Sequence, residues 1–341
     1  MHKRIANQVK RIAIFSKALS AGKAYALARF CMYRFILARK VPYSVYLELT
    51  FKCQLSCRHC VTAAYPAGGP ELSTRDWKRA IDRLSDLGVP RIHFSGGEPL
   101  LREDLEDLVF YAHRKHIFIG LDTNGWDLTV SRIRNLKESG LDFICISLNG
   151  QAEESHDAWC ARPGSFQRVA DALKNCRQEH VPCVISTVAR KDLVRSGELR
   201  RIFELADKWG SLGVRLNAPH AMGRWLERPE EALSAQEKAH LERAFSVQKA
   251  ALLGEGPYER LCRASLNYSL AVSPDGEIQT CAYIPYSFGN ILREDLRAIL
   301  RRIYRHEMFR KKSCCKIEDE DFRKRYIETI KPDTQLPIRL Y

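Results

Sequence analysis

The sequence predicts an α/β protein built on a parallel sheet, because short apolar runs alternate with helical patterns from residue 45 onward. The composition agrees: 341 residues with 45% hydrophobic and 28% charged side chains are typical of one large globular domain plus a smaller one. Turns rich in glycine, cysteine and asparagine follow several of the apolar runs. Because parallel sheets gather their sites at the carboxyl ends of the strands, these turns are expected to meet along one rim.

The apolar runs predict six strands, and helical spacing predicts a helix after each of the first five. Ser73 followed by Asp76 predicts the N-cap of the first of these helices, and Gly88 predicts its end. Ser234 and Glu237 form a capping-box pattern that begins a further helix near 234–252. The strands are expected near 45–51, 91–95, 117–122, 142–148, 182–188 and 212–217, and the helices near 74–87, 102–115, 129–139, 165–179 and 197–209.

The first forty residues predict a basic amphipathic helix. Apolar residues recur at helical spacing from Ile5 to Leu19, while Lys3, Lys10 and Lys17 repeat on the opposite side. The net charge of +14 is concentrated here, because this segment contains no acidic residue. We expect it either to lie on an anionic membrane surface or to pack on the main domain with its basic face in water. The rest of the chain is nearly neutral, so no nucleic-acid partner is expected.

Three cysteines, Cys53, Cys57 and Cys60, stand in the spacing CxxxCxxC directly after the first predicted strand. Zinc sites usually combine two CxxC pairs, and thioredoxin-like sites need only one, so this triplet fits neither. Three thiolates in one loop can hold three irons of a four-iron cluster and leave the fourth iron open. The N-terminus shows no signal-peptide pattern, which favours a reducing cytoplasm where clustered cysteines bind metal.

CxxxCxxC after the first strand, together with "GGEP" at 96–99 after the second, resembles the radical S-adenosylmethionine (SAM) superfamily over about residues 44–220. The resemblance implies a partial (β/α)6 TIM-type barrel, a SAM-binding [4Fe–4S] cluster and SAM itself. In that family one electron from the cluster splits SAM, and the 5′-deoxyadenosyl radical abstracts a hydrogen atom from an unactivated carbon. A reducing partner such as flavodoxin or ferredoxin is implied as well.

The resemblance also assigns roles to single residues. Cys53, Cys57 and Cys60 would be the cluster ligands and the catalytic set. Several of the other positions have ordinary turn chemistry as their alternative, since Asn-Gly is a common turn dipeptide. The cofactor-binding residues would be His59 near the adenine, Gly96, Gly97 and Glu98 toward the methionine amine, Thr123, Asn124 and Ser147 toward the ribose or carboxylate, and Arg162 or Arg168 toward the carboxylate.

A second group of cysteines lies near the C-terminus. "SPDGEI", residues 273–278, predicts a hairpin turn between Cys262 and Cys281. This region resembles the C-terminal extension called SPASM, or its half-size version called twitch. The resemblance implies one auxiliary [4Fe–4S] cluster held by Cys262, Cys281 and either one or both of Cys314 and Cys315. If only one of the adjacent pair binds, a fourth site would stay open to substrate; the alternative is a hairpin without metal.

The predicted organisation has five parts. They are a basic helical segment at 1–42, the barrel at 43–223, a helical linker at 224–257, a small α+β cluster domain of hairpin and helix at 258–318, and a C-terminal tail at 319–341.

The predicted function is a radical SAM enzyme acting on a peptide or on a membrane-associated or cofactor-type small molecule. Tyr65, Trp126, His220 and Trp225 are candidates to line the substrate cavity at the rim; the alternative is packing for the aromatic residues and a structural hydrogen bond for His220. The alternatives are a non-enzymatic iron–sulfur carrier or sensor on the same barrel, and a zinc-stabilised interaction protein. We expect a cytoplasmic protein, with peripheral attachment at the inner face of the membrane as a further expectation.

Overall fold

The structure is a computed structural model that describes residues 20–65, 69–226, 228–245, 262, 264–266, 268–310, 315–331 and 334–341. An eight-stranded sheet forms its centre, with the strand order β6-β5-β4-β3-β2-β1-β7-β8. The strands are β1 Ser44–Glu48, β2 Arg91–Ser95, β3 Phe118–Thr123, β4 Phe143–Ser147, β5 Cys183–Val188, β6 Val214–Asn217, β7 Ser269–Val272 and β8 Ile278–Gln279.

The first six strands are parallel neighbours in chain order, and helices connect them. The sheet is open at β6 and β8, which is the arrangement of a partial (β/α)6 barrel extended by a C-terminal hairpin. The predicted α/β class is therefore confirmed. The α-helices are α1 Ala21–Cys31, α2 Thr74–Leu87, α3 Leu105–Arg114, α4 Val130–Glu138, α5 Glu153–Cys160, α6 Ser165–Gln178, α7 Lys191–Arg195, α8 Glu198–Trp209, α9 Ala235–Phe245, α10 Leu296–Arg305 and α11 Glu320–Tyr326.

Local sequence explains the helix ends. The Ser73 side chain accepts a hydrogen bond from the Asp76 backbone N–H, and Gly88 ends α2 with a left-handed φ of 98°. Both halves of the predicted capping box before α9 are present, because Ser234 and Glu237 each bond the other's backbone N–H. The predicted helix near 234–252 is described only as far as Phe245. These predictions of helix starts and stops are confirmed.

The C-terminal hairpin belongs to the same sheet as the barrel. Strand β7 pairs in parallel with β1 over four residue pairs, from Ser44 with Ser269 to Leu47 with Val272. Strand β8 then turns back antiparallel to β7, as the "SPDGEI" pattern predicts. The first strand of the barrel thus has β2 on one side and the hairpin on the other.

The described part of the N-terminal segment packs on the main domain. Helix α1 buries Ala26 and Phe30 against the main domain, and Lys23 forms a buried ion pair with Asp142. A π-helical turn, Met32–Ile36, follows and exposes apolar side chains. The periodic lysines near the start of the chain lie outside the described residues. No helix within the described ranges has both the length and the apolarity required to cross a membrane.

Candidate functional site

The loop that carries the three clustered cysteines is fixed by the glycine turn after β2. The Gly97 N–H donates to Thr50 O at 2.7 Å, and the Glu98 N–H donates to Lys52 O at 2.8 Å. A Cβ on Gly97 would lie 2.2 Å from Lys52 O, and Gly96 has a φ of 131° beside the same backbone. Only glycines allow this approach, so the turn sets the path of the chain into Cys53.

The Glu98 side chain is buried and bonds to other residues at the carboxyl ends of the strands. Its carboxylate accepts hydrogen bonds from the Leu100 N–H at 3.0 Å, the Thr123 hydroxyl at 2.7 Å and the Asn124 N–H at 2.8 Å. Burial raises the pKa of Glu98 to about 7. The Glu98 carboxylate and the Thr123 hydroxyl, both assigned to SAM by resemblance, therefore already bond to each other. Their contribution is to hold the ends of β2 and β3 together.

The three motif thiols lie within electrostatic reach of one another. Burial raises the pKa of Cys53 to about 11, and the Glu98 carboxylate and the Cys57 and Cys60 thiols add to that rise. The Asn124 amide contacts Cys53 Sγ at 3.8 Å. Partly desolvated thiols that repel each other's charge become thiolates readily only when a cation neutralises them, which is the chemistry of a cluster site.

A fourth thiol, from helix α5, meets this loop. The Cys160 thiol hydrogen-bonds Cys57, and this contact, followed by burial, raises the pKa of Cys57. Cys160 Sγ also lies 3.6 Å from His156 Nε2. A backbone hydrogen bond joins the cysteine loop to the end of α5 at the same place, because the Ser56 N–H donates to Cys160 O at 3.1 Å. Cys160 is buried, which identifies it as a support of the loop.

His59 packs against two tryptophans that are distant from it in the sequence. The Trp159 indole N–H donates to His59 Nδ1 at 2.6 Å, and the two rings stack with centroids 5.6 Å apart. The Trp225 ring approaches His59 at 6.1 Å. Burial lowers the pKa of His59 to about 4, so its ring is neutral at physiological pH. His59 lines the cavity beside the third motif cysteine, and the two tryptophans pack against it.

The remaining predicted cofactor residues separate into two groups. Ser147 and Asn124 line the cavity, as do Gly96, Gly97 and Thr123. Arg162 instead donates to Gln54 O at 3.0 Å and stacks 3.6 Å from the Trp126 ring. Arg168 contacts the same ring at 5.3 Å. Arg162 therefore supports the cysteine loop, and Arg168 packs on Trp126, a residue that Arg162 also contacts.

The C-terminal cysteines also reach the cavity. Cys262, Cys281 and Cys315 all line it, while Cys314 lies outside the described residues. Burial raises the pKa of Cys281 to about 12, and the nearby Cys262 adds to it. Burial likewise raises the pKa of Cys315, with smaller contributions from Cys262, Glu318 and Cys281. This second thiol group has the same donor chemistry as the first.

One cavity of about 650 Å³ joins the two thiol groups. An ion pair lies in its wall, with Arg215 3.0 Å from Asp122 and also donating to the Ser186 hydroxyl. Glu48, on β1, lines it too, and burial followed by the charge of Asp275 raises the pKa of Glu48 to about 7. A volume of this size suits a small-molecule ligand or part of a larger one.

The residues present fit the cofactors that the cysteine motifs imply. Each thiol group offers three soft donors, and the first lies beside backbone turns that a Cβ would obstruct. Among the described residues, no three His, Cys, Asp or Glu side chains are grouped so as to hold a single metal ion. Cys53, Cys57 and Cys60 would hold the first cluster, which when bound supplies the electron for SAM cleavage.

Several site residues carry no signal in the sequence. Trp159 lies in the last turn of helix α5 and is close to the cysteine loop only through folding. Arg224 donates to Cys57 O at 2.8 Å from the segment after β6. Glu318 follows Cys315 by three residues and reaches the same cavity. Only the proximity of Glu318 to a predicted ligand could have drawn attention to it.

Comparison with known families agrees with both motif regions. A sequence profile of the Radical SAM superfamily matches residues 47–196. A profile of SPASM, an iron–sulfur cluster-binding domain, matches residues 262–321. Together the two matches cover more than half of the chain, and they contain both thiol groups.

Curated relatives of two kinds are similar to this chain. An AdoMet-dependent heme synthase of Methanosarcina barkeri is 28% identical over 307 residues, covering 81% of this chain and 86% of the relative. A second, from Nitratidesulfovibrio vulgaris, is 26% identical and covers 77% of this chain and 80% of the relative. A PqqA peptide cyclase of Ruegeria pomeroyi is 29% identical, covering 76% of this chain and 73% of the relative.

Solved structures share the fold at low sequence identity. Streptococcus suis SuiB bound to its precursor peptide SuiA has a TM-score of 0.63 at 15% identity, covering 80% of this chain. This chain spans 66% of the length of that structure. The anSMEcpe structure with bound AdoMet and Cp18Cys peptide has a TM-score of 0.58 at 16% identity, covering 84% of this chain and 82% of that one. The chain belongs to the radical SAM superfamily: it is an enzyme that uses SAM and a [4Fe–4S] cluster, with a C-terminal SPASM domain for auxiliary iron–sulfur binding.

Proposed function

We propose that the enzyme cleaves SAM reductively at a cluster held by Cys53, Cys57 and Cys60, and abstracts hydrogen from an unactivated carbon of a cofactor-sized small molecule. The observation that carries the proposal is the single cavity lined by both thiol groups. A substrate held there lies between the place where the radical forms and an auxiliary cluster that can accept an electron. The electron for SAM cleavage would come from a carrier such as flavodoxin or ferredoxin.

The chain's own residues would bind and orient SAM and the substrate, and would exclude water from the cavity. Glu98 and Thr123 hold the rim of the SAM site, and His59, which accepts a hydrogen bond from the Trp159 indole N–H, forms part of its wall. The Asp122–Arg215 pair supplies a fixed dipole in the cavity wall, with Ser186 fixing the guanidinium. A dry and prearranged cavity favours radical chemistry because competing hydrogen donors are kept out.

Two points favour a cofactor-sized substrate over a peptide. The cavity of about 650 Å³ is within the range of small-molecule sites. The similarity to this chain extends over 86% and 80% of the lengths of the two AdoMet-dependent heme synthases, compared with 73% of the length of the peptide cyclase. An iron tetrapyrrole carrying propionate side chains is therefore the first candidate to test. A peptide is the second, favoured by the similarity to the PqqA peptide cyclase.

The test is 5′-deoxyadenosine formation from SAM by anaerobically reconstituted, dithionite-reduced protein. It is run without substrate, with an iron tetrapyrrole dicarboxylate, and with a mixed peptide library, each followed by mass spectrometry of the added compound. Adding the tetrapyrrole should raise the formation of deoxyadenosine. The tetrapyrrole itself should lose the mass of the hydrogen atoms or carboxyl groups that are removed from it. Stimulation and mass change only in the peptide arm would select the second candidate.

Cys57→Ala is the matched negative control, and exposed Cys31→Ala is the matched positive control. If the wild type binds SAM and contains both clusters but forms no deoxyadenosine in any arm, the enzymatic proposal fails.

We further propose that the N-terminal region docks on an anionic phospholipid surface. Tyr25, Phe35 and Ile36 are 66%, 66% and 77% exposed, which is unusual for side chains of this size. A basic groove of about 550 Å³ begins two residues after Ile36, at Ala38, and is lined by Arg39, Lys40, Arg297, Arg301 and Arg305. Exposed apolar groups bordered by cations match the interface of an anionic bilayer.

Vesicle co-sedimentation tests this docking, with anionic vesicles compared with zwitterionic ones. The double variant Phe35→Ser/Ile36→Ser and the double variant Arg297→Glu/Arg301→Glu should each reduce sedimentation with anionic vesicles. Removal of residues 1–40 is a poor test, because it would also remove the buried Phe30. Equal sedimentation of the wild type with both kinds of vesicle, or none with either, would contradict the proposal.

A further inference from the structure

His220 contacts the auxiliary thiol group from the far side of the cavity. Its Nε2 lies 3.7 Å from Cys315 Sγ, although the two residues come from the segment after β6 and from the C-terminal region. The His220 side chain is only 9% exposed. A histidine in this place adds a fourth soft donor to the three thiols of Cys262, Cys281 and Cys315, which line the same cavity.

The second nitrogen of His220 faces a carboxylate. His220 Nδ1 has no hydrogen-bond partner among the described residues, and it lies 3.8 Å from Glu318 Oε1. Lys238 fixes that carboxylate through an ion pair of 2.8 Å with Glu318 Oε2. Metal-binding histidines usually present one nitrogen to the metal and the other to a carboxylate, which orients the ring and strengthens the ligand. The order Cys315–His220–Glu318 reproduces that arrangement.

The ring orientation is also constrained by packing. The Tyr283 ring meets the His220 ring edge-on, with centroids 4.6 Å apart. Tyr283 follows Cys281 by two residues, and its backbone N–H donates to Cys281 Sγ at 3.5 Å. Two of the three thiols therefore have direct connections to the histidine or to the tyrosine that holds it.

We propose that His220 is the fourth ligand of the auxiliary cluster, completing a set with Cys262, Cys281 and Cys315, and that Glu318 is the positioning residue for its imidazole. A four-iron cluster needs four protein donors to be closed, and the described residues supply them without Cys314. The auxiliary iron would then have no open position for substrate. Its role would be electron transfer, and nitrogen in place of sulfur would raise its reduction potential.

Pulsed electron paramagnetic resonance on the reduced, SAM-free holoenzyme tests the ligand directly. Protein labelled with ¹⁵N-histidine is compared with unlabelled protein, for the wild type and for His220→Cys. The wild type should show a strongly coupled nitrogen whose signal changes on labelling. His220→Cys should retain iron and sulfide, lose that coupling and have a lower auxiliary potential.

Cys314→Ala is the matched control, because Cys314 is the neighbour of one proposed ligand and a competitor for the fourth position. It should keep the nitrogen coupling and the full iron content. The proposal is overturned if the wild type shows no directly coupled histidine nitrogen, or if Cys314→Ala loses the auxiliary cluster while His220→Gln keeps an unchanged spectrum. The second result would reduce His220 to a hydrogen-bond donor, since glutamine can still donate. None of these readouts depends on the substrate, so failure here leaves the proposed reaction unaffected.

Discussion

The two thiol groups of the cavity are assembled differently. Cys53, Cys57 and Cys60 lie within a single loop, whereas Cys262, Cys281 and Cys315 come from three separate segments of the C-terminal region. The first group is positioned by backbone contacts with a glycine turn, and the second by side-chain contacts such as that of Cys315 with His220. A site built from local spacing can be recognised in sequence, whereas one gathered by folding can be recognised only in part.

The largest expected effect comes from removing one thiol in each group. Cys57→Ala should reduce deoxyadenosine formation to background and lower the iron content by about half, because one of two four-iron clusters is lost. Cys281→Ala should lose a similar amount of iron but keep SAM cleavage while losing product. Deoxyadenosine assay, product assay and iron analysis on both variants check this. Loss of SAM cleavage in both would mean that the two groups are not functionally separable.

The next effect concerns the glycine turn of the first group. Gly97→Ala should destabilise the fold by about 3 kcal/mol and impair cluster loading, because its Cβ would meet a backbone carbonyl that cannot move freely. Gly197→Ala is the control, since its φ is +77° but nothing lies within 4 Å. That variant should cost only about 1 kcal/mol. Urea unfolding and iron analysis of both proteins would reveal whether crowding or backbone conformation limits the turn.

A pH-dependent effect is expected at Glu48, on the strand between the two groups. Its carboxyl has a pKa raised to about 7 in the folded protein, so the protonated form is favoured by folding. Stability is therefore present at low pH and is lost as pH rises from about 4.5 toward 7. Glu48→Gln removes this titration and should stabilise the protein by about 2 kcal/mol at pH 8, with a smaller gain at pH 5. Thermal unfolding under argon at both values checks it; an equal difference at the two pH values would contradict it.

The smallest predicted effect is at the wall beside His59. Trp159→Phe keeps the ring but removes the N–H that donates to His59 Nδ1, at a cost of about 1 kcal/mol. SAM should bind about fivefold more weakly. Trp225→Phe is the control, because its ring contacts the same histidine at 6.1 Å. Equal loss of SAM affinity in the two variants would assign the effect to ring volume rather than to the hydrogen bond.

The sequence predicts local features well. The strands are recognisable because each is a short β-branched or apolar run, and caps such as Ser73 with Asp76 act within one turn of helix. The rim residues Gly96, Gly97 and Asn124 are found because they directly follow strands that are parallel neighbours. These features depend on spacing alone, which a single sequence contains.

The support of the site is much less visible in the sequence. Nothing in the sequence around Cys160 predicts that its thiol hydrogen-bonds Cys57. Nothing near Arg162 predicts that its guanidinium stacks on Trp126. Such contacts join residues that are distant in the sequence, and they are decided by how α5 and α6 pack on the sheet. Long-range pairs of this kind leave no pattern in one chain.

The pairing of β7 with β1 determines how the molecule can open. Because four residue pairs join the hairpin to the first barrel strand, the auxiliary region cannot swing away as a lid without breaking that ladder. Hinge opening between the two thiol groups is therefore disfavoured, and a substrate must enter through loops at the rim. The same ladder makes the barrel and the hairpin one cooperative unit, so the amide hydrogens of Tyr46 and Ala271 should exchange with solvent only when the whole sheet unfolds.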